Sequence, residues 1–181
     1  YENNDEIFRL LPILEKYPIK NIGIHPRIGK QLYKGDVNLD LFQKCLENTA
    51  HEIHYNGEIN SVAKFNILKD RFPMINHWMI GRWLIADPFL PGMIKSNSNE
   101  YPDNRIEVFS KFHDTLFDEY QQALSGPSHI LMKMLHFWEY FILTFTNTPK
   151  GFKKIKKAKN INAYKTAVEE ILNNEKKNNI E

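Results

Sequence analysis

Cysteine is all but missing from this chain. Cys45 stands alone among 181 residues, which excludes an intrachain disulfide framework and any metal cluster built from several thiolates. A single thiol suits a reducing compartment, and the expected location is the cytoplasm. Long apolar runs are missing as well: none approaches the roughly 20 residues that a membrane-spanning helix requires, and the opening YENNDE has nothing of a secretory leader. No methionine opens the chain, and we expect it to be a portion of a longer protein. Nor is there a large excess of one charge, since 24 Lys and Arg against 22 Asp and Glu leave a net +2. A fixed repeat period is absent, which sets aside solenoids and propellers.

What is present is enough apolar matter for a true core, 42% hydrophobic with 13% aromatic residues, in a length that suits one domain or two small ones. The charge is uneven along the chain. Lys150, Lys153, Lys154, Lys156, Lys157 and Lys159 crowd one segment, the kind of surface that meets a polyanion and equally the kind that is simply solvated. Proline and glycine also concentrate. Pro88, Pro91, Gly92 and Pro102, with a Ser/Asn cluster, mark a boundary between about Asp87 and Asp103. The chain therefore divides into residues 1–95 and residues 96–181.

Three short apolar runs organise the first part: IGIHPR ends on His25 and Arg27, IHYNGEI on Asn56 to Glu58, and WMIGR on Gly81 and Arg82. The intervals leave room for one helix between each pair, the pattern of a parallel βα array. Strands are expected over Ile19–Ile24, Glu52–Tyr55 and Trp78–Ile80. A first helix carries Ile7, Leu10, Leu11 and Leu14 behind a cap at Asn4 or Asp5, with Pro12 awkward inside it. A second, capped by Asn38, turns Phe42, Cys45, Leu46 and Thr49 to one side, and a third carries Val62, Phe65 and Leu68. The second part reads as helices throughout. One is striped by Ile106, Phe109, Leu116, Tyr120 and Leu124 and stops at Gly126-Pro127, the next carries Leu131, Met134, Leu135, Trp138 and Ile142, and a last carries Tyr164, Ala167, Val168 and Ile171.

In a parallel array the carboxyl ends of the strands share one edge, so His25, the Asn56 to Glu58 turn and Arg82 are expected to converge. Taken singly, each has an ordinary explanation: a histidine at a strand end, an Asn-Gly turn, a surface arginine. The His51-Glu52-Ile53-His54 run invites a zinc reading. On a strand His51 and His54 face opposite sides, and the spacing is not that of the helical zinc motif, so no metal site is expected. His113, His129 and His136 are read as solvated or interfacial, and Trp138 as core rather than as part of a stacking platform with Phe137, Tyr140 and Phe141.

The combination His25-Pro26-Arg27 through Gly35, then Asn56-Gly57-Glu58-Ile59, then Met79-Ile80-Gly81-Arg82, resembles the last three strands of the flavin-dependent tRNA-dihydrouridine synthases. The trailing helices resemble that family's C-terminal helical domain, so the likeness covers most of the chain. It implies the C-terminal part of a (β/α)8 TIM barrel followed by an all-α tRNA-binding domain. The missing N-terminal half of the barrel is then a partner in the same protein. It further implies FMN as cofactor, NADPH as reductant, tRNA as partner and reduction of a uridine C5–C6 bond as the reaction.

From the resemblance, the cofactor-binding residues are His25, Asn56, Gly57, Glu58, Gly81 and Arg82. Arg82 is assigned to the phosphate, which its planar fork can pair through two oxygens. Gly57 and Gly81 admit the backbone closely, Asn56 and Glu58 orient the turn or the ribityl hydroxyls, and His25 reaches the flavin ring or its phosphate. Arg27, Lys30 and Tyr33 lie on the following rim and, with Lys153, Lys154, Lys156 and Lys157, are the tRNA-binding candidates. No catalytic residue is expected here. The family's acid cysteine and its flavin-binding lysine belong to strands outside this sequence, Cys45 being a mid-helix apolar residue. Trp83 also departs from the small residue usual after Gly-Arg. Three strands taken from a barrel would leave free edges and an apolar inner face, so this chain alone is expected to be inactive and prone to associate. The alternatives are a non-catalytic RNA-binding helical module with a barrel remnant, or another FMN barrel oxidoreductase.

Overall fold

The computed structural model describes residues 3, 5–32, 34–146 and 148–178. Elements follow in the order α1 (Glu6–Leu14), β1 (Asn21–Ile24), α2 (Leu39–Glu47), β2 (Glu52–Asn56), α3 (Val62–Arg71), β3 (Trp78–Met79), α4 (Arg82–Ala86), α5 (Leu90–Ser96), α6 (Arg105–Ala123), α7 (Pro127–Phe141), α8 (Thr148–Lys157) and α9 (Ile161–Asn178). The chain forms two units. One comprises residues 1–83 with 94–98, and the other residues 84–93 with 99–181.

The expected barrel architecture does not hold. The described residues are 62% helical, and the one sheet among them has three parallel strands in the order β1-β2-β3. No barrel is evident; this is a mostly helical protein with a small parallel sheet. The physical reason lies in strand number and twist. Neighbouring strands rotate by about 20–25°, and a barrel as wide as its own side chains takes about eight of them.

In the first unit, Asn38 caps α2 by accepting from the Leu41 amide at 2.9 Å, and Ser61 caps α3 by accepting from the Lys64 amide at 3.1 Å. Pro12 stands inside α1, in its last turn. The register pairs Gly23 with His54 and Tyr55 with Trp78. Period-two alternation buries Ile53 and Tyr55 with Ile24 against Phe42, Cys45, Leu68 and Phe72. Phe42 meets both Tyr55 and Phe72 edge-on with ring centroids 4.9 Å apart, the geometry aromatic quadrupoles prefer. The other face carries Gly23, Glu52, His54, Asn56 and Met79, half-buried or exposed. It is largely polar, where a slice of barrel was expected to present an apolar lining.

The second unit packs α6, α7, α8 and α9 around Phe109, Phe117, Met134, Trp138, Phe141 and Tyr164. Pro127 begins α7 behind Gly126, whose φ of +87° favours glycine. Trp138 is core, as its spacing predicted. His113, read from sequence as solvated or interfacial, is buried between helices, and a polar chain runs through it. Trp138 Nε1 donates to Tyr164 Oη at 2.9 Å, and Tyr164 Oη lies 2.6 Å from His113 Nε2. The Asp114 carboxylate can only accept, so Nδ1–H donates to its Oδ1 at 3.0 Å, and Nε2 of the neutral ring accepts from the tyrosine hydroxyl. A second buried network joins Arg105 to the Thr144 carbonyl at 2.6 Å and to Glu175 at 3.5 Å. Glu175 accepts from the Thr146 amide and hydroxyl. Among the described residues no helix is long and apolar enough to cross a membrane.

Candidate functional site

The three strands end on one edge, and the segments after them meet there. His25, Asn56, Gly57, Glu58, Gly81 and Arg82 border one cavity of about 170 Å³, so the expected convergence is present. Arg27 borders it too. A neighbouring cavity of about 350 Å³ shares His25, Arg27 and Asn56, and this one reaches the scale of small-molecule sites, ~300 Å³ upward.

Arg27 is the centre of the arrangement. Its Nη2 donates to Glu58 Oε2 at 2.9 Å and to the Gly35 carbonyl at 2.7 Å, fastening the loop after β1 to the turn after β2. Its side chain is 4% exposed and that of Glu58 34%. Arg27 is therefore held inside the site, where it was expected at the rim. Gly35 has φ +70°, a conformation that lets its carbonyl turn back to the guanidinium. Lys30 is exposed in a 3-10 turn at Gly29–Gln31, where it was expected to be accessible. Tyr33 lies outside the described residues.

Among the described residues two buried polar atoms have no hydrogen-bond partner in this unit's strand-end region: Arg27 Nε, whose side chain borders the cavity, and Tyr55 Oη, which lies in the core behind Gly57. A buried donor without an acceptor costs about 1–3 kcal/mol. Burial pushes the Tyr55 hydroxyl up to about 12, so it stays protonated and able to donate. Burial, then the positive charge of Arg27, holds the His25 imidazole below the usual histidine range. At neutral pH it is uncharged, able to accept at one nitrogen and donate at the other.

The two glycines differ in kind. A Cβ at Gly57 would collide with the Tyr55 ring, so this glycine is required by the strand that precedes it, whereas a Cβ at Gly81 would meet nothing. Arg82 is exposed at the start of α4, and Trp83 lies against the same cavity. Cys45 is fully buried on α2, and burial raises its thiol above the usual cysteine range. It is a core residue, as its position in the helix predicted.

In the second unit, Lys153, Lys154, Lys156 and Lys157 are all exposed on α8, around buried Ile155. Lys154 pairs with Glu170, and the Lys156 ammonium stands 4.4 Å from the centre of the Phe152 ring.

Sequence reasoning missed His77, which stacks on His54 with ring centroids 4.4 Å apart. The signal was available: Glu52 and His54 are two apart on one strand, hence on one face, and His77 directly precedes the next strand. No protein-family model matches the chain, and no curated protein matches its sequence.

Proposed function

We propose that this chain serves the FMN- and NADPH-dependent reduction of a uridine C5–C6 bond in tRNA, and that the strand-end cluster receives the phosphate and ribityl portion of the flavin. The observation that carries the reading is the convergence of His25, Asn56 to Glu58 and Gly81-Arg82 on one edge of the sheet. Those are the motifs that resemble the dihydrouridine synthases.

The residues fit such a group. Arg82 is an exposed residue that brings a guanidinium, Asn56 an amide, and Arg27, which borders the cavity, an Nε donor with no acceptor among the described residues. The Glu58 carboxylate would repel a phosphate, but Arg27 neutralises it at 2.9 Å. The cavity of about 170 Å³ suits a phosphate with adjoining hydroxyls, and the larger neighbouring cavity gives the remainder a direction to extend. When bound, FMN supplies the hydride for the uridine. His25 is held neutral and orients polar groups without adding charge. Cys45 does not supply the proton for C5, since its thiol is buried away from both cavities' polar edge. Exposed lysines of α8 offer tRNA a sequence-independent electrostatic contact.

A titration of the chain with FMN and with riboflavin, followed by flavin fluorescence, tests the reading. FMN is expected to bind at least about tenfold more tightly, the value of one charge-assisted phosphate contact. Equal affinity for the two would remove the phosphate assignment. Binding of tRNA without any flavin binding would favour the second reading, an RNA-binding module carried by α8.

A further inference from the structure

We propose that Glu52, His54 and His77 form a binding site for a divalent transition-metal ion of the Zn²⁺ type on the open face of the sheet, separate from the strand-end cluster and independent of the flavin reading. Glu52 and His54 lie two residues apart on β2 and so project from the same face. His77 is their lateral neighbour: Tyr55 pairs with Trp78, and the Tyr55 amide donates to the His77 carbonyl at 3.1 Å. Parallel pairing thus places one carboxylate and two imidazoles side by side from two strands.

Their ligating atoms all lie within 4.8 Å of one another. Glu52 Oε1 is 2.7 Å from His77 Nδ1 and 3.5 Å from His54 Nε2. Bonds of ~2.0–2.2 Å in a tetrahedral arrangement set ligand atoms roughly 3.3–3.6 Å apart, so the triad is close enough for side-chain rotation to bring its atoms to that spacing. A second observation points the same way. His54 Nε2 is shielded from solvent and has no hydrogen-bond partner among the described residues, an unmet requirement that a metal ion satisfies.

The stacked rings must turn for both lone pairs to meet one ion. His77 can do so, its side chain being 58% exposed. On the other side of His54 stands Gly23, which brings no side chain of its own against the ring; the Met79 methyl is the nearest group to that position. Two imidazoles and one carboxylate make a three-ligand set, and the exposure of His77 and Glu52 leaves a fourth position to water.

Metal-stripped protein titrated calorimetrically with Zn²⁺ alone is expected to take up one equivalent, and Co²⁺ in its place to give the visible absorption of a low-symmetry site. His77→Ala and Glu52→Gln each should weaken Zn²⁺ binding by about a hundredfold or more, at least the loss caused by disturbing a ligand's own support. His129→Ala and His136→Ala, at exposed helical histidines, should leave it unchanged. Both variants of the triad sit at exposed positions, and circular dichroism establishes that they fold. Wild-type protein that takes up no Zn²⁺, or uptake that His77→Ala and Glu52→Gln leave intact, would overturn the site.

Discussion

Arg27 and Glu58 meet at 2.9 Å across the ends of two neighbouring strands, the arginine buried and the glutamate half in solvent. Replacing the acid strands a cation that cannot shed its charge. A fully buried pair broken in this way costs about 3–5 kcal/mol and an exposed one about 0–1 kcal/mol. Glu58→Gln should therefore lower stability by an intermediate amount, about 1–3 kcal/mol, in urea unfolding followed by circular dichroism. A loss within error of zero would mean that Gly35 alone holds the guanidinium.

Arg82 carries the phosphate assignment. Arg82→Ala should weaken FMN binding about ten- to a hundredfold, the loss of a hydrogen bond to a charged group worth about 1.5–3 kcal/mol, while riboflavin binding stays as it was. Unchanged FMN affinity transfers the phosphate to other donors.

Tyr55 gives the opposite kind of outcome. Its hydroxyl is buried without a partner, so Tyr55→Phe keeps the ring contacts with Phe42 and Phe72 and removes an unmet donor. The variant should gain up to about 1 kcal/mol. Thermal unfolding measures the effect, and destabilisation of the variant would show that the hydroxyl is satisfied in solution.

Burial lowers the affinity of His113 for a proton, and burial with the Arg27 charge does the same for His25. The unfolded chain takes up those protons near pH 6.5, and the folded chain only at lower pH. Within that window the unfolded state holds more protons. Stability is full above about pH 6.5 and falls as the pH drops towards the folded values, by up to about 1.4 kcal/mol per pH unit for each proton. Denaturation between pH 5 and 8 should show this slope, and His113→Gln should make it shallower. An identical slope in the variant would assign the dependence to other groups.

On α8, Lys153→Gln with Lys157→Gln should lower the slope of log affinity for tRNA against log salt by about 0.7–0.9 per lost phosphate contact. Lys154→Gln, whose side chain already pairs with Glu170, should do less. Equal slopes for wild type and the double variant would leave the run as a solvated face.

The helical half was readable because its stripes are long. The 3.6-residue spacing of Ile106, Phe109 and Tyr120, and of Met134 and Trp138, needs only local physics, and Gly126-Pro127 ends one helix and begins the next. The strands were placed to within about two residues, and the convergence at their ends followed from parallel order alone. Fold class failed where the argument passed from local pattern to closure. Three matching strands say how each turn is built, but not how many strands the sheet holds. Arg27 was misplaced because a charged residue in a loop reads as exposed, and only the tertiary approach of Glu58 makes it an interior residue. For His113 the sequence left a solvated or an interfacial place open, because the partner that decides between them, Tyr164, lies on another helix. His77 was passed over because a histidine one residue before a strand has no local signature, and its neighbour is set by register.

The chain leaves the sheet-containing unit after Trp83, returns to it at Ile94 and departs again after Ser98. Ile94 packs on the core of that unit, and Asn97 accepts from the Asn66 amide at 2.8 Å. Domain dissection is constrained by this path. No single scission can yield both units whole: a terminus placed after Trp83 strips the first of a five-residue strap, and one placed after Ser98 deprives the second of residues 84–93, including Asp87, whose carboxylate accepts from the Tyr101 hydroxyl at 2.8 Å. Expression of either half requires a graft, with residues 94–98 tethered to the first by a designed linker, rather than a stop codon.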